Sequence, residues 1–336
     1  MSLESILELH RSGDLAAAEA AYREYLQAQP QDADALHLLG VLRQRQGDAA
    51  QARDLVGRAI AIAPERAQFH LSLGGVQLHL GEEAAARASF ERALELDPNS
   101  IEAQNLVGHL QLRDGDVTAA EQRFKIGRRA AEEDPLILFG LGNVHLARHD
   151  AANATKFLTR AAELKPDDAA IQASLGRALF DQGAFAFAEK AFENALRLRP
   201  DMSIAKLYLA RSRLRQDNND AARDLFSELL AGNQQAFGAM AGLGDVARKK
   251  GQTLKALKFY RRALVLDPLH PGVINACAWG MESLGDLAGA ARYLAEGLQR
   301  APQADELRTP LAALLDRLGR SDEAAQVRQA GGAGHV

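Results

Sequence analysis

The feature that most constrains the fold of this chain is a period of 34 residues, which runs through nearly all of its 336 residues without an insertion. One position of the period is Ala in all ten copies, from Ala18 to Ala324, and a second is Gly in eight of ten. A third position is Gly or Ala in all nine of the copies from Gly40 onward. A fourth position is Pro in seven of its nine copies. A strict period of this length indicates a stack of similar small modules rather than separate globular domains.

Each module is predicted to be a pair of short helices. Apolar residues recur every three or four residues, as in "ARASFERALEL", and a large residue such as Tyr22, Phe90 or Tyr260 follows the fixed Ala by four. The Gly position falls in the joint inside the pair, and Pro ends the second helix because its ring and its missing N–H oppose continuation. Such pairs cannot bury their apolar faces alone, so we expect an all-α fold in which they stack into one core.

A 34-residue helix pair with small, large and Pro residues at these positions resembles the tetratricopeptide repeat. The resemblance covers essentially the whole chain and implies an α-solenoid, a right-handed superhelix of antiparallel helix pairs. We predict a single array of about ten repeats over residues 1–329 and a flexible tail over 330–336. The repeats are expected to start near residues 1, 33, 67, 101, 135, 169, 203, 237, 271 and 305.

Two places break the pattern. In the seventh repeat the joint Gly is replaced by Asp217 and the closing Pro by Gln234, which predicts a softer or displaced joint. In the last repeat, Pro310 falls where a helix interior is expected, which suggests Thr309 as the N-cap and Pro310 as the first residue of a shortened helix.

Composition and charge exclude several classes of function. The formal net charge is -4, which gives no global electrostatic reason to expect nucleic acid as a partner. The single cysteine, Cys277, cannot form an internal disulfide, and no basic stretch followed by an apolar run begins the chain. We therefore expect a cytoplasmic protein that binds no nucleic acid and is not inserted in a membrane.

Candidate chemistry is sparse, and we predict no enzyme activity, no cofactor and no metal. The two Gly-x-Gly segments, "FGLGN" and "AGLGD", complete no phosphate-binding pattern. His145 and His149 are four residues apart on a predicted helix, but no third ligand lies nearby at helical spacing. Cys277 occupies a position that is normally a core Leu, so an inert buried thiol is favoured over a nucleophile.

The resemblance also implies a binding groove, because in that family the first helices of successive repeats line the concave surface. The corresponding residues of this chain are Asn105, His109, Asn143, Arg177, Tyr208, Arg211, Arg215, Arg248, Lys249 and Trp279. Five of them are cations on three adjacent repeats, against Asp181 and Asp245, so we expect an acidic partner. Two alternatives stay open: the cations are solvated or paired with neighbouring helices, and the aromatic rings cover apolar surface between repeats.

Three hypotheses of function follow. The first is a non-catalytic scaffold that binds a segment of a partner protein in this groove. The second is an adaptor for a modifying enzyme, since the first repeats are similar to arrays that precede sulfotransferase or glycosyltransferase domains in bacterial proteins. The chain ends at "AAQVRQAGGAGHV", so that enzyme is expected to be a separate polypeptide. The third is self-association through the terminal repeats, whose apolar faces have no neighbour.

Overall fold

A computed structural model describes residues 1–330 of the chain, and within that range it contains twenty α-helices and no strand. A 3-10 helix, Asp305–Leu307, leads directly into the nineteenth. The helices are α1 Leu3–Ser12, α2 Leu15–Ala28, α3 Ala33–Arg45, α4 Ala49–Ile62, α5 Ala67–His79, α6 Glu83–Leu96, α7 Ile101–Arg113, α8 Val117–Ala130, α9 Pro135–Ala147, α10 Ala151–Leu164, α11 Ala169–Asp181, α12 Phe185–Leu198, α13 Ser203–Arg215, α14 Asn219–Ala231, α15 Ala236–Lys249, α16 Thr253–Leu266, α17 Pro271–Ser283, α18 Leu287–Arg300, α19 Arg308–Arg317 and α20 Ser321–Gln329.

The helices group into two compact units, Met1–Lys165 with α1 to α10 and Pro166–Val336 with α11 to α20. In each unit consecutive helices pack as pairs, and each pair packs on the next. The predicted all-α fold of stacked helix pairs is therefore confirmed within each unit. The array boundaries, 1–329, stay a prediction, and apart from Ala330 the proposed tail lies outside the described residues.

Local sequence signals begin and end the helices. Asp side chains accept a hydrogen bond from a backbone N–H of the first turn, which satisfies one of the free donors there. Five second helices of the pairs begin in this way, at Asp14, Asp48, Asp116, Asp150 and Asp286. Eight joint glycines have φ between 69° and 90°, the left-handed region that ends a helix without a Cβ clash. Two joints reach this region without Gly, at His149 (φ 58°) and Asp217 (φ 61°).

The fixed small residue of each first helix packs against the fixed large residue of its partner helix. A Cβ added to Gly108 would lie 2.7 Å from the Phe124 ring, and one added to Gly176 would lie 2.8 Å from Phe192. Phe124 also presses on Gly140 of the next pair, so one ring joins α7, α8 and α9. Phe124 and Phe192 are almost fully buried. The periodic glycines are therefore positions of close helix contact.

The joint of the seventh repeat is displaced, as the sequence predicts. The α14 helix ends at Ala231 and α15 begins at Ala236, one residue before the expected start. Asn233 and Gln235 both have positive φ, which gives the chain a double reversal in place of the usual Pro joint. Because Gln234 has replaced Pro, its N–H is available and donates to the carbonyl oxygen of Leu229 at 2.8 Å.

The prediction for Pro310 is wrong in register. The 3-10 helix continues into α19 at Arg308, so Thr309 lies inside the helix and Pro310 is its third residue. Pro is tolerated there because the N–H groups of the first helical turn have no intrahelical acceptor, so its missing donor removes no bond. Leu307, which is fully buried, holds the 3-10 segment against the core.

Cys277 lies in the core of the second unit, as predicted. Its side chain is buried in a cluster with Ala247, Tyr260 and Val273. Burial raises the pKa of the thiol to about 11, because an apolar environment penalises the thiolate.

Enlarging a fixed Ala should damage the core. Ala188 on α12 is fully buried in a cluster with Phe192 and Leu209, so Ala188→Leu should destabilise the array by about 1 to 3 kcal/mol through overpacking. The change is measured as a lower denaturation midpoint by circular dichroism. Ala186→Leu, at an exposed position of the same helix, is the control and should leave the midpoint nearly unchanged. Equal midpoints for all three proteins would refute the assignment of this position to the core.

A joint with His and a joint with Gly should respond in opposite ways when the joint residue is replaced. His149→Gly should stabilise the protein by about 1 kcal/mol, because a left-handed conformation costs a residue with a Cβ about 1 to 2 kcal/mol. Gly183→Ala should destabilise it by a similar amount, although a Cβ there meets no atom within 4 Å, so that only the backbone conformation opposes it. Thermal denaturation of both variants tests this, and a loss of stability in each would contradict it.

The buried thiol should be unreactive in the folded protein. We expect 5,5′-dithiobis(2-nitrobenzoic acid) to modify Cys277 slowly at pH 8 and within minutes in denaturant, because the raised pKa and the burial both suppress the thiolate. Absorbance at 412 nm measures the reaction. Equal rates with and without denaturant would show that the thiol is accessible.

Candidate partner-binding groove

Six of the ten predicted groove residues line three cavities of the second unit. The first cavity, about 230 Å³, is lined by Arg177 and Tyr208. The second, about 330 Å³, is lined by Arg211 and Arg215, and the third, about 420 Å³, by Arg248 and Trp279. We call the surface formed by these six residues, along α11, α13, α15 and α17, the arginine groove.

The cavities follow one another along these helices. The second and third share Asp245, Gly272 and Ala276, so they form one continuous depression. The first adjoins the second through the rings of Tyr208 and Phe180, whose centroids are 5.5 Å apart. Successive first helices therefore present a row of depressions suited to an extended chain.

Three of the four arginines lie against aromatic rings. The guanidinium carbon of Arg211 is 5.4 Å from the centroid of Tyr208, and that of Arg248 is 5.4 Å from Trp279. The Arg215 guanidinium carbon is 5.6 Å from the centroid of Phe185. Such contacts restrict the long side chains while their N–H groups stay available to a ligand.

Acidic residues neutralise part of this charge. The Arg177 Nε lies 3.9 Å from a carboxylate oxygen of Asp181, and Arg248 lies 3.8 Å from Asp245. Asp245 also accepts a hydrogen bond of 2.8 Å from the hydroxyl of Tyr260, whose pKa is raised by burial and by this carboxylate. Within residues 1–330, Arg211 and Arg215 form no ion pair with an acidic residue.

Lys249 serves the scaffold. Its Nζ donates to the carbonyl oxygen of Leu214 at 2.7 Å and to a carboxylate oxygen of Asp217 at 2.5 Å. Lys249 therefore ties the end of α15 to the joint between α13 and α14, where Asp217 has replaced Gly. The arginine groove thus has four cations, against the same two aspartates.

Two of the three predicted groove residues of the first unit, Asn105 and His109, contact neighbouring helices. The amide of Asn105, which is buried, donates to the carbonyl oxygen of Leu136 at 3.0 Å and so joins α7 to α9. The His109 ring lies 5.2 Å from the centroid of Phe124 and 5.3 Å from that of Phe139, and burial lowers its pKa. Asn143 is half-buried on α9.

Three residues that line the cavities were missed by the sequence analysis. Phe237 lines the second cavity from the first turn of α15, a position that the groove pattern does not include. His270 lies in the loop before α17, and its ring is 4.8 Å from that of Phe237. Arg317 of the last repeat lines the third cavity and is paired with Glu282. Arg317 lies at a groove position of the last repeat, so extending the groove pattern to that repeat would have predicted it.

His145 makes local contacts. Its Nδ1 lies 3.1 Å from a carboxylate oxygen of Asp150, and its ring stacks on Phe157 with centroids 5.4 Å apart. Across residues 1–330, no three His, Cys, Asp or Glu side chains are grouped so that they could hold a metal ion. In the same range, no helix combines the length and the apolar composition needed to cross a membrane.

Three solved structures share this fold. One is described as PilF of Pseudomonas aeruginosa; it has a TM-score of 0.53 and 19% identity over 59% of this chain and 90% of its own. One is described as PilW, a widely conserved type IV pilus biogenesis factor, with a TM-score of 0.53 and 19% identity over 60% and 93%. A tetratricopeptide repeat protein from Parabacteroides merdae has a TM-score of 0.51 and 14% identity over 75% and 99%. At these identities the similarity shows the fold alone.

Sequence comparison identifies the family. No curated protein sequence matches the chain significantly. The sequence profile described as tetratricopeptide repeat matches residues 37–101, 108–169, 173–236 and 209–271, which together make up more than half of the chain. The chain therefore belongs to the tetratricopeptide repeat family, whose arrays are generally non-catalytic scaffolds for protein interaction.

Proposed function

We propose that the arginine groove binds an extended, acidic segment of a partner protein. The observation that carries the proposal is the pair Arg211 and Arg215, two cations without an acidic partner among residues 1–330 that line the same cavity of about 330 Å³. The chain as a whole has a net charge of -4, so a local excess of cations is a property of this surface.

The position of the two arginines suits a carboxylate ligand. Arg211 and Arg215 are four residues apart on α13 and thus lie on one face of the helix, about one turn from each other. Guanidinium groups bind carboxylates through two parallel hydrogen bonds. Each stacks on a ring, so little side-chain freedom remains to be lost on binding.

The rest of the cavity favours an apolar neighbour in the ligand. Phe180, Phe237 and Ala241 contribute apolar lining to the cavity that holds the two arginines. Asp245 lies between this cavity and the next and repels a second acidic side chain there. We therefore infer a motif in which a carboxylate adjoins a large apolar side chain and is followed by uncharged or basic residues.

The adaptor hypothesis stays a prediction. It uses the same groove and differs only in the partner, which would be a modifying enzyme such as a glycosyltransferase or sulfotransferase. Self-association through the terminal repeats and a cytoplasmic location likewise stay predictions.

Reversing the unpaired arginines should abolish binding without unfolding the array. Random 12-residue peptides displayed on phage would be selected on the wild-type protein, and the enriched peptides synthesised with a fluorescent label. We expect sequences with Asp or Glu beside a large apolar residue. In fluorescence anisotropy, Arg211→Glu with Arg215→Glu should weaken their binding at least a hundredfold, because each arginine loses a charge-assisted contact worth about 1.5 to 3 kcal/mol.

A matched control separates local from global charge. Lys190→Glu with Arg197→Glu makes the same change of charge on exposed positions of α12 and should leave peptide affinity unchanged. Peptides whose acids are replaced by amides should bind the wild type as weakly as acidic peptides bind the groove variant. Enrichment of basic peptides, or equal affinity for the two variants, would refute the proposal.

A further inference from the structure

The second unit carries a second basic surface, on the side of α16. Seven cations and no acidic residue lie between Asp245 and Asp267, a stretch that contains all of α16. Every other second helix of a pair among residues 1–330 contains at least one Asp or Glu. The cations are Arg248, Lys249, Lys250, Lys255, Lys258, Arg261 and Arg262.

The cations on α16 differ in their ion pairing from the cations that precede this helix. Lys249 pairs with Asp217, and Lys250 pairs with Asp220 at 2.6 Å. By contrast, the four cations of α16 are exposed and form no ion pair with an acidic residue in the range 1–330. They are Lys255, Lys258, Arg261 and Arg262, the last of which lies over the ring of Phe259 with 6.0 Å between its guanidinium carbon and the centroid.

Large apolar side chains are exposed on the same face. Leu254 is 72% exposed, Val265 79% and Leu266 53%, and Leu269 in the following loop is 38% exposed. These four account for a third of the twelve large apolar residues with this degree of exposure in the described chain. Isolated exposed apolar residues need no explanation, but a cluster of them on one helix indicates an interaction surface.

Helical geometry places the cations and the apolar residues together. Spacings of four, three and four residues align Leu254, Lys258, Arg261 and Val265 in one stripe, and Lys255, Arg262 and Leu266 form a second stripe beside it. The opposite face, with Ala256, Tyr260 and Ala263, is buried in the core. We call the two exposed stripes, with Leu269, the α16 face. It is about 16 Å long at 1.5 Å per residue, with apolar side chains at both ends and cations between them.

We propose that the α16 face binds the surface of a membrane that contains anionic phospholipids. The cations attract the lipid phosphates, while the apolar side chains enter the boundary between the headgroups and the acyl chains. The cytoplasmic leaflet of cell membranes carries such lipids. The helix remains part of the array throughout, because its buried face holds the core together.

Two features favour a lipid surface over an acidic protein. The apolar side chains lie at both ends of the face with the four cations between them, so a rigid protein partner would need pockets that match this spacing, whereas lipids rearrange around it. In addition, residues from α14 to α16 line a cavity of about 170 Å³, which has both polar and apolar lining. The polar residues include Ser227, Gln252 and Lys255, and the apolar ones are Leu243, Val246, Ala247 and Phe259. Such a cavity suits a phosphate headgroup attached to an acyl chain. Arg223 and Lys250 also line it and are held by Asp220.

This inference is independent of the proposed function. None of the residues of the α16 face lines the three cavities of the arginine groove. Variants of the face should therefore bind groove peptides normally, and Arg211→Glu with Arg215→Glu should bind vesicles normally, so that either proposal can fail alone.

Flotation with lipid vesicles tests the inference. We expect the full chain to float with vesicles of 70% phosphatidylcholine and 30% phosphatidylglycerol at 0.1 M salt, and to remain unbound with phosphatidylcholine alone. Lys255→Gln with Lys258→Gln should lower the partition coefficient about 25-fold, since each cation near an anionic surface contributes about fivefold. Leu254→Ser with Val265→Ser should also lower it, at unchanged charge.

The control is Lys190→Gln with Arg197→Gln on α12, which removes two exposed cations elsewhere in the unit and should float like the wild type. Failure of the wild-type protein to bind the anionic vesicles would overturn the proposal, and so would equal binding to both lipid compositions. Retention of the Arg211→Glu, Arg215→Glu variant on polyglutamate resin without flotation, lost on adding Lys255→Gln and Lys258→Gln, would assign the face to an acidic protein instead. Unchanged flotation of the Ser variant would overturn the role of the apolar residues.

Discussion

The close contact between a residue with little or no side chain on one helix and a large side chain on its partner underlies the rest of this structure. Phe124 is an example, because its ring packs on Gly108 of its own pair and on Gly140 of the next pair. The ring thereby closes a pair and fixes the following one against it. Burying a Phe side chain contributes about 1.5 to 3 kcal/mol, and here that contribution falls where two helix contacts meet.

This arrangement also explains why the first helices can carry a binding surface. Glycine and alanine satisfy the close contact with few atoms, so a strip of the first helix stays outside the core even where, as on α13, six residues are buried. On α13, Ala210 is fully buried while Arg211 and Arg215 on the other side line a cavity. A helix that needed large residues at its contact would stand farther from its partner, and the depressions between successive first helices would be shallower.

The sequence could predict the helices and their buried faces because both depend on contacts that recur every 34 residues. Six of the predicted groove residues recur at these positions and line cavities of the second unit, while their role in binding stays a prediction. Contacts that depend on a departure from the period could not be predicted from the sequence. Lys249 donates to Asp217, which is the one carboxylate in a left-handed joint position among residues 1–330, and Phe237 lies beside a joint that lacks the usual Pro. Asn105 stays a predicted groove residue, but the period could not predict that its amide donates a hydrogen bond to the backbone carbonyl of Leu136 on the next pair.

The two basic surfaces of the second unit differ in the kind of ligand their cations suit. All four cations of the arginine groove are arginines, and three are fixed on aromatic rings, which favours directed hydrogen bonds to a small number of carboxylates. The cations of the α16 face include two lysines, and all four are exposed, which suits a diffuse negative surface whose charges need no fixed positions. Salt should therefore affect the two differently. Attraction to a diffuse charged surface is screened by ions, so binding at the α16 face should fall steeply between about 0.05 and 0.3 M salt, while the directed hydrogen bonds of the groove arginines should weaken less.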